Sequence, residues 1–469
     1  MYTRLVSSLL FPLHERLKGH ATVSVRRDLE RSQWLAPEAL QALQLQRLQK
    51  LLADVGSTVP YYRDLFGRMR IDPAAVCSLR DLQHLPLLDK ATIRANTEAM
   101  RRPGAHGLAR FNTGGSSGEP LIFFIGKERV THDVAAKWRA TRWWGVDIGD
   151  PEMVVWGSPI ELGTQDRVRR LRDAIFRSEL LPAFAMNESK LDAMVASIRA
   201  SRPRMLFGYP SALSHIARHA ERRGIALDNL GVRVAFVTSE RLYDEQRAAI
   251  SAAFGCPVAN GYGGRDAGFI AHECPQGGMH LTAEDIVVEL LDAKGQPVPP
   301  GQPGEIVVTH LATRDFPFIR YRTGDVAVMD TRACACGRGL PMLKEIQGRS
   351  TDFVVAADGT VMHGLALIYI LRDLPGLQRF KIVQHSITHT QVLLHPEPGF
   401  DAAQHVPAIV QGFRRRLGEQ VQVEVELCAE LPAERSGKFR FVVSHVQGTI
   451  PAAAAAAVAP AAGEGLTHA

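Results

Sequence analysis

The sequence predicts an α/β protein with a large domain, which combines a parallel sheet and a β-rich part, and a small α+β C-terminal domain. At 469 residues the chain exceeds what one hydrophobic core usually organises, so two or more domains are expected. Between residues 205 and 260, short apolar strands alternate with helices, the pattern of a doubly wound parallel sheet; the predicted strands are Met205–Phe207, Val232–Val237 and Pro257–Asn260. Further along, Val421, Val423, Val425 and Leu427 alternate with period two, which indicates a strand of a separate unit.

The elements follow in order from these patterns. The opening 110 residues are expected to be mainly helical, with leucines at helical spacing from Glu38 to Asp54. The run Val59-Pro60-Tyr61-Tyr62 is expected to be extended, because proline disfavours helical geometry in the preceding residue. A later helix, Ser211–Arg223, is expected to be capped by Ser211. The predicted divisions are a helical part at 1–110, a core at 111–350, a small domain at 351–447 and a disordered Ala/Pro-rich tail at 448–469.

Composition and charge exclude several classes of protein. Apolar residues make up 46% and charged residues 22% of the chain, which argues against a disordered or fibrous protein. The apolar run Leu5–Leu13 is too short to span a bilayer and has no cleavage site, so no transmembrane segment and a cytoplasmic location are expected. The net charge of +6 comes without a nucleic-acid-binding motif, so anionic small molecules are the expected partners rather than nucleic acid.

The strongest local signal is the loop Thr113-Gly-Gly-Ser-Ser-Gly-Glu-Pro120, which is followed by an apolar strand. Its backbone N–H groups can point together at an anion, and its hydroxyls add further donors. Because no Gly-Lys-Ser/Thr follows, the loop is not a Walker A motif. The alternative is a flexible Gly/Ser hairpin turn.

Four further motifs follow the loop, each of them weak alone. The first, at residues 261–266, combines an aromatic ring with a carboxylate. The second, at residues 319–325, places a carboxylate beside a glycine turn. The third lies at the predicted domain boundary, and the fourth carries a lysine on a glycine-containing loop, a mobile point charge for oxygen anions. In order, they are Gly261-Tyr262-Gly263-Gly264-Arg265-Asp266, Ile319-Arg320-Tyr321-Arg322-Thr323-Gly324-Asp325, Gly348-Arg349-Ser350-Thr351-Asp352 and Arg435-Ser436-Gly437-Lys438-Phe439-Arg440.

Three cysteines and a histidine suggest a metal site. Cys274 and His280 flank a short turn, and Cys334 and Cys336 form a Cys-x-Cys-Gly motif. Three thiolates and one imidazole suit a closed, tetrahedral structural zinc site, which leaves no position for a catalytic water. The zinc would pin the loop Ala271–His280 to the loop that carries Cys334, near the active site. His272 is a rival for the fourth ligand. The alternative is a set of reduced thiols in a loop.

In this order, over residues 105 to 445, the motifs resemble the adenylate-forming superfamily of acyl-CoA synthetases. The likeness is greatest to the phenylacetate–CoA ligase family, and the spelling of the 113–120 loop is similar to its capsular polysaccharide biosynthesis branch. The same resemblance is carried by two earlier segments, Leu29-Glu-Arg-Ser-Gln-Trp-Leu35 and Val59-Pro-Tyr-Tyr62.

The resemblance implies a role for each motif. Residues 111–350 would form the ATP- and acid-binding core, and residues 351–447 a mobile lid with its hinge at Asp352. Lys438 would approach the carboxylate and the α-phosphate during adenylation. The implied binding residues are Thr113, Ser116, Ser117 and Gly118 for the phosphates of ATP, Glu240, Tyr262 and Gly263 for the adenine, Asp266 for Mg²⁺, and Asp325 and Arg349 for the ribose.

The implied activity is ATP-dependent activation of a carboxylic acid to an acyl-adenylate, followed by acyl transfer, with CoA as the first expectation for the acceptor. The family usually has Glu where Asp266 stands, and Val354 to Gly364 lacks the proline-containing hinge pattern of phenylacetate ligases. Two alternatives therefore stay open: transfer to an amine or hydroxyl in polysaccharide biosynthesis, and a nucleotide-binding scaffold without turnover. The resemblance also implies a homodimer.

Overall fold

The computed structural model describes residues 1–112, 121–156, 167–183, 186, 188–349, 353–359, 361–363, 365–371, 374–431 and 440–446. Within them, one sheet of eleven strands forms the centre of the large part of the chain, and a separate sheet of four strands forms the centre of the C-terminal part. This mixed α/β architecture, with a small C-terminal unit, confirms the predicted fold class.

The N-terminal region is helical, as expected, but its proline-containing junction differs from the prediction. Only Val59 is extended there, and Pro60 is the first residue of the next helix. Proline fits this position because backbone N–H groups in the first turn of a helix have no partner within the helix. The N–H group that proline lacks is therefore not needed there. The helices are α1 (Tyr2–Leu5), a π-helical segment (Val6–Leu10), α2 (Phe11–Leu17), α3 (Thr22–Ser32), α4 (Pro37–Thr58), α5 (Pro60–Met69) and α6 (Lys90–Ala95).

A two-stranded hairpin and a long helix follow. Strands β1 (Ala109–Asn112) and β2 (Ile122–Ile125) pair antiparallel, and residues 113–120 between them lie outside the described part of the chain. The long helix α7 (Lys127–Trp143) then packs against α3 and the central sheet. Its Arg139 is 1% exposed and donates to Glu284, which is fully buried, over 2.6 Å. This ion pair joins α7 to a turn between two strands of the central sheet.

Five parallel strands make up one half of the central sheet, in the order β4-β3-β5-β6-β7. Strands β5 and β6 are buried along their whole length, as the continuous apolar runs predict. The elements are β3 (Glu152–Trp156), α8 (Arg167–Phe176), β4 (Ser178–Pro182), α9 (Glu188–Ser201), β5 (Met205–Gly208), α10 (Pro210–Arg222), β6 (Val234–Thr238), α11 (Asp244–Phe254) and β7 (Val258–Gly264).

The other half of the sheet is antiparallel and continues directly from β7, in the order β7-β8-β9-β13-β12-β11-β10. The sheet therefore changes from parallel to antiparallel pairing at β7, where its chemistry-bearing motif lies. The strands are β8 (Gly268–Glu273), β9 (Met279–Leu281), β10 (Ile286–Leu291), β11 (Pro303–His310), β12 (Tyr321–Asp330) and β13 (Met342–Arg349).

The C-terminal unit has its own core, which includes Ile382, Val392, Phe413 and Leu417. The four-stranded sheet has the order β18-β17-β16-β19, and two helices pack against each other beside it. The domain boundaries at 110, 350 and 447 stay a prediction. The elements of the unit are β14 (Phe353–Val355), β15 (Val361–His363), α12 (Leu365–Leu371), β16 (Leu377–Ser386), β17 (His389–Pro396), α13 (Ala402–Leu417), β18 (Gln422–Leu427) and β19 (Val442–Ser444).

Candidate active site

The carboxyl ends of the parallel strands meet at one edge of the sheet. Strand β5 lies between β3 and β6, and β6 lies between β5 and β7. In this register Gly208 lies beside Val237, and Thr238 lies beside Gly261. Open α/β sheets bind their ligands outside this edge, where the loops leave the strands. Three of the sequence motifs come to this region of the sheet.

Glu240 lies just beyond the end of β6, after a tight turn. Ser239 adopts a left-handed backbone with φ of 72°, which reverses the chain so that Glu240 faces the start of α10. The carboxylate accepts a hydrogen bond from the Ser211 backbone N–H, 3.2 Å away. Ser211 is therefore not the capping residue that the sequence suggested. The residue before α10 is Tyr209, and Glu240 satisfies a free N–H of its first turn.

An aromatic wall lines the same edge. The rings of Trp156, at the end of β3, and Tyr209, just after β5, stack with centroids 4.3 Å apart. The Tyr209 ring is almost fully buried, and Trp156 is partly exposed. Stacked aromatic faces of this kind offer an apolar surface to a flat ligand.

Tyr262 and Asp325 come together although they are 63 residues apart in the chain. The Tyr262 hydroxyl donates to Asp325 Oδ2 over 2.7 Å. Burial, and secondly the Asp325 carboxylate, raise the pKa of Tyr262 well above its usual value, so the phenol keeps its proton. Arg349 is the partner of Asp325 in the β12–β13 register, so the backbones of the two residues lie side by side; the side chain of Arg349 lies outside the described part.

Asp266 lies in the turn between β7 and β8. Its Oδ2 accepts from the Tyr321 hydroxyl over 2.7 Å, and its Oδ1 accepts from the Ala267 backbone N–H over 3.1 Å. A carboxylate oxygen can accept about two hydrogen bonds. Oδ1 and Oδ2 of Asp266 therefore each keep one lone pair that can bind a hard cation such as Mg²⁺. Tyr321 belongs to the 319–325 motif, but its contact with Asp266 was not predicted, because nothing in the spacing of these residues links β12 to this turn.

The C-terminal unit contacts the segment that follows Glu240. The rings of Tyr243 and Phe441 meet edge to face, with centroids 5.5 Å apart. Arg379, on β16, is close enough to interact electrostatically with Glu240; burial lowers the pKa of Arg379, and the glutamate opposes that shift. Thr113, Ser116, Ser117, Gly118, Asp352 and Lys438 lie outside the described residues.

The predicted metal ligands form a cluster. The ligand atoms of Cys274, His280, Cys334 and Cys336 all lie within 4.8 Å of one another. The two sulfurs of Cys274 and Cys334 are 3.6 Å apart. Tetrahedral zinc with Zn–S bonds of 2.3 Å places its sulfurs about 3.8 Å apart, so this spacing fits the metal. His280 donates from Nδ1 to the Leu340 carbonyl, 3.2 Å away, which leaves Nε2 facing the sulfurs.

His272 is outside this cluster. It is fully buried, and its ring stacks on Phe269 with centroids 5.5 Å apart. Burial lowers the pKa of His272 to about 3, so the ring is neutral at pH 7. Within the described residues neither ring nitrogen has a hydrogen-bond partner. The structure therefore brings His280, and not His272, to the three sulfurs.

The cluster does not lie at the candidate active site, contrary to the expectation that it pins a loop near it. Asp325, in the middle of β12, pairs with Arg349 at one end of β13, whereas Asp330 pairs with Met342 at the other end of β13. Met342 in turn pairs with His280, so the cluster lies at that far end. The turn between β8 and β9 is also shorter than expected, because residues 271–273 belong to β8.

Parts of the chain match known protein families. The family model described as AMP-binding enzyme matches residues 180–312, and that described as CapK C-terminal domain matches residues 354–445. A phenylacetate-coenzyme A ligase from Thermus thermophilus is 25% identical over 82% of this chain and 85% of its own. Protein CapK from Staphylococcus aureus is 21% identical over 86% of this chain and 89% of its own.

Solved structures show the same fold. A crystal structure of 2-hydroxyisobutyryl-CoA ligase, in the postadenylation state, superimposes with a TM-score of 0.72. The match covers 88% of this chain and 91% of that one, at 21% sequence identity. The similarity therefore extends over both the large part and the C-terminal part of the chain.

Proposed function

Because the chain belongs to the adenylate-forming superfamily and to its phenylacetate–CoA ligase family, we propose that it activates a carboxylic acid with ATP and then transfers the acyl group to CoA. The family models cover parts of both the large and the C-terminal units, and relatives named phenylacetate-coenzyme A ligase match most of the chain. The acid itself is left open, because the aromatic wall at Trp156 and Tyr209 suits many apolar groups.

The observation that carries this proposal is the hydrogen bond between Tyr262 and Asp325 at the ligand-binding edge of the sheet. An aromatic ring and a carboxylate held together can bind a nucleoside, because the ring stacks on the base and the carboxylate accepts hydrogen bonds from the ribose hydroxyls. Glu240, at the end of the neighbouring strand, is the third group of this nucleoside site.

The remaining roles extend the proposal motif by motif. The loop around Thr113 and Ser116–Gly118 would hold the phosphates of ATP, and Gly263 would let the backbone come close to the adenine. Arg349 would support Asp325 at the ribose. Asp266 would bind Mg²⁺, which neutralises phosphate charge when present. Phe441, which contacts Tyr243, is only three residues from Lys438 in the chain.

The chemistry requires charge neutralisation rather than a protein nucleophile. In the first step a carboxylate oxygen attacks the α-phosphorus of ATP, and the bond to pyrophosphate breaks. In the second step the CoA thiolate attacks the acyl carbon, and AMP leaves with the electrons of the broken C–O bond. Both partners of the first step are anions, so lysine and backbone N–H donors lower the barrier by stabilising the developing charge. A lysine on a small separate domain can withdraw before the thiol enters.

The test is carboxylate-dependent exchange of labelled pyrophosphate into ATP, over a panel of aryl, fatty and sugar acids. Exchange with one class of acid is expected, together with its loss in Lys438→Ala. The matched control is Lys381→Ala, which removes a lysine from β16 of the same domain. Loss of exchange in both variants, or no exchange in folded protein that binds ATP, would contradict adenylation by this site.

A second candidate differs only in the acceptor. The match of residues 354–445 to the CapK C-terminal domain, and the likeness to Protein CapK, favour an amine or hydroxyl acceptor in polysaccharide biosynthesis. The two are separated by adding CoA, or an amino sugar, to preformed acyl-adenylate on the protein and measuring which one releases AMP. A nucleotide-binding scaffold without turnover would release AMP with neither.

We also propose that the cluster of Cys274, His280, Cys334 and Cys336 holds a structural zinc ion. With three thiolates and one imidazole, the metal would have no open position, so it would stabilise the fold and take no part in the reaction. It would join the β8–β9 turn to the loop between β12 and β13. A homodimer and a cytoplasmic location stay predictions; among the described residues, no helix combines the length and apolar character needed to cross a bilayer.

A further inference from the structure

The exposed apolar side chains are concentrated on one face of the molecule. Of the twelve large apolar residues exposed in the described part of the chain, seven lie on α1, the π-helical segment, α2 or α8, and an eighth, Met1, directly precedes α1. Leu5, Leu9, Leu13 and Leu17 recur every four residues, with exposed fractions of 46% to 81%. Together with Leu171 and Ile175 of α8 they form what is called here the leucine stripe.

The opposite face of the N-terminal helix is firmly packed, which fixes the stripe outward. Val6 is fully buried, and Phe11 packs edge to face on Trp138 with ring centroids 5.1 Å apart. The Thr3 hydroxyl donates to Asp150 over 2.9 Å. In an ideal α-helix a four-residue repeat turns by about 40° at each step. The π-helical segment winds more slowly, so it keeps the first leucines closer to one line.

The two helices of the stripe join each other directly. The Tyr2 hydroxyl donates to the Ile175 carbonyl over 2.8 Å, and the rings of Phe11 and Phe176 meet edge to face 5.6 Å apart. The stripe therefore lies on two helices that contact each other, and this surface is called the ridge below.

A basic cavity opens at the end of this ridge. Its volume is about 410 Å³, and it is lined by Thr3, Asp150, Pro151, Arg177, Arg202, Arg204, Leu230 and Gly231. All three arginines are exposed, and within the described residues none of them makes an ion pair. The one acid, Asp150, already accepts from Thr3 and from the Asp147 backbone.

Two of these arginines occupy positions where glycine would be the less strained choice. Arg177 and Arg202 have φ values of 57° and 43°, in the left-handed region that side chains other than glycine seldom adopt. Each follows the end of a helix, α8 or α9, where a left-handed glycine is the common solution. Strained residues of this kind concentrate at functional sites, where the side chain itself is needed.

We propose that this face docks on an anionic membrane, with the leucine stripe entering the interfacial region and the arginine cavity taking a phosphate headgroup. The charge of the face is complementary to such a surface. Arg4, Arg16 and Lys18 are exposed along the ridge, and the only acid among the first twenty residues, Glu15, is buried. Leucines on one face and cations beside them are typical of helices that lie in a membrane interface.

The test is flotation of the full chain with phosphatidylcholine vesicles, with and without phosphatidylglycerol. One variant, Leu9→Gln/Leu13→Gln/Leu17→Gln, removes half of the stripe at exposed positions. The other, Arg177→Gly/Arg202→Gly, removes two cations from the cavity and relieves two strained backbones, so it should fold at least as well as the parent. The matched controls are Ile387→Gln/Leu427→Gln, exposed apolar residues of the C-terminal unit, and Arg70→Gly, a left-handed arginine at the end of α5.

Binding is expected only to the anionic vesicles and should weaken with salt. The leucine variant should reduce the partition constant by at least about 30-fold, because three leucines would no longer be partly buried in the lipid interface. The double arginine variant should reduce it by about 10-fold or more. The controls should bind like the parent.

Three results would overturn the proposal. They are the absence of flotation with anionic vesicles, equal binding by the parent and both variants, and equal binding to neutral vesicles. A concentration-dependent dimer that the leucine variant abolishes, without flotation, would assign the stripe instead to an interface between copies of this chain. Capture of another protein through the stripe, without flotation, would equally contradict a lipid partner.

Discussion

Replacing Tyr262 by phenylalanine removes one atom from the proposed nucleoside site. The change deletes the hydroxyl that donates to Asp325 over 2.7 Å, and it leaves the ring in place. A hydrogen bond to a charged group contributes about 1.5–3 kcal/mol, which corresponds to a factor of about 10–150 in a binding constant. We expect ATP affinity to fall by about 10-fold, near the lower limit, because water can replace part of the lost contact at this half-buried position.

The assay is calorimetric titration of ATP into parent and variant, with the free energy of unfolding measured by urea on the same samples. The control is Tyr62→Phe, which removes a buried hydroxyl that donates to the Pro317 carbonyl over 3.0 Å. It should cost stability without changing ATP affinity. A Tyr262→Phe variant that binds ATP as tightly as the parent would refute the assignment of this pair to the nucleoside. So would equal losses of affinity in both variants.

Three further predictions concern stability. Glu284→Gln should lower the free energy of unfolding in urea by about 3–5 kcal/mol, because it leaves the buried guanidinium of Arg139 uncompensated; a loss below about 1 kcal/mol would show that the pair is dispensable. Cys336→Ser should remove bound zinc, measured by mass spectrometry, and lower the unfolding temperature, whereas Cys77→Ser should do neither; a parent without zinc would contradict the metal site. The unfolded His272 takes up a proton below pH 6.5, but the folded residue does so only near pH 3, so stability falls as the pH drops through this window. His272→Leu should therefore reduce the stability lost between pH 7 and pH 5 by about 2 kcal/mol in urea titrations, and an unchanged loss would exclude His272 as its source.

Local patterns predicted much of the fold, because apolar periodicity reports directly on burial. The strands around Phe207 and Phe236 were predicted at nearly their observed positions, since a strand buried on both faces must be continuously apolar. The helix that starts at Pro60 was not predicted. Proline disfavours helical geometry in the residue before it, but proline itself is well suited to the first turn of a helix. The sequence alone does not say which of these two effects decides the structure.

The contacts of the candidate site required the three-dimensional structure. Tyr262 and Asp325 lie on β7 and β12, and the sheet order that brings them together is not encoded in their spacing. The same is true of Tyr321 and Asp266. The metal cluster was easier to predict, because thiols and imidazoles at short spacing have few other uses. Its distance from Asp325 follows only from the register of β12 with β13.

One surface could have been recognised from the sequence and was not. The four leucines at positions 5, 9, 13 and 17 have a constant spacing, but the segment was considered only as a membrane-spanning or signal sequence. A repeat of four residues is also a pattern of one helix face, whether that face is buried or exposed. Sequence periodicity cannot distinguish the two cases; only the packing of Val6 and Phe11 on the opposite side does.

The most direct test of the proposed function is a single-turnover reaction, analysed by mass spectrometry, with ATP and each acid of the panel in the absence of CoA. The proposed chemistry predicts that an acyl-adenylate of one acid class accumulates on the protein with an equal amount of pyrophosphate. On addition of the acceptor it should be converted to AMP and the acyl product. Formation of ADP, or no adenylate with any acid in folded protein that binds ATP, would contradict it.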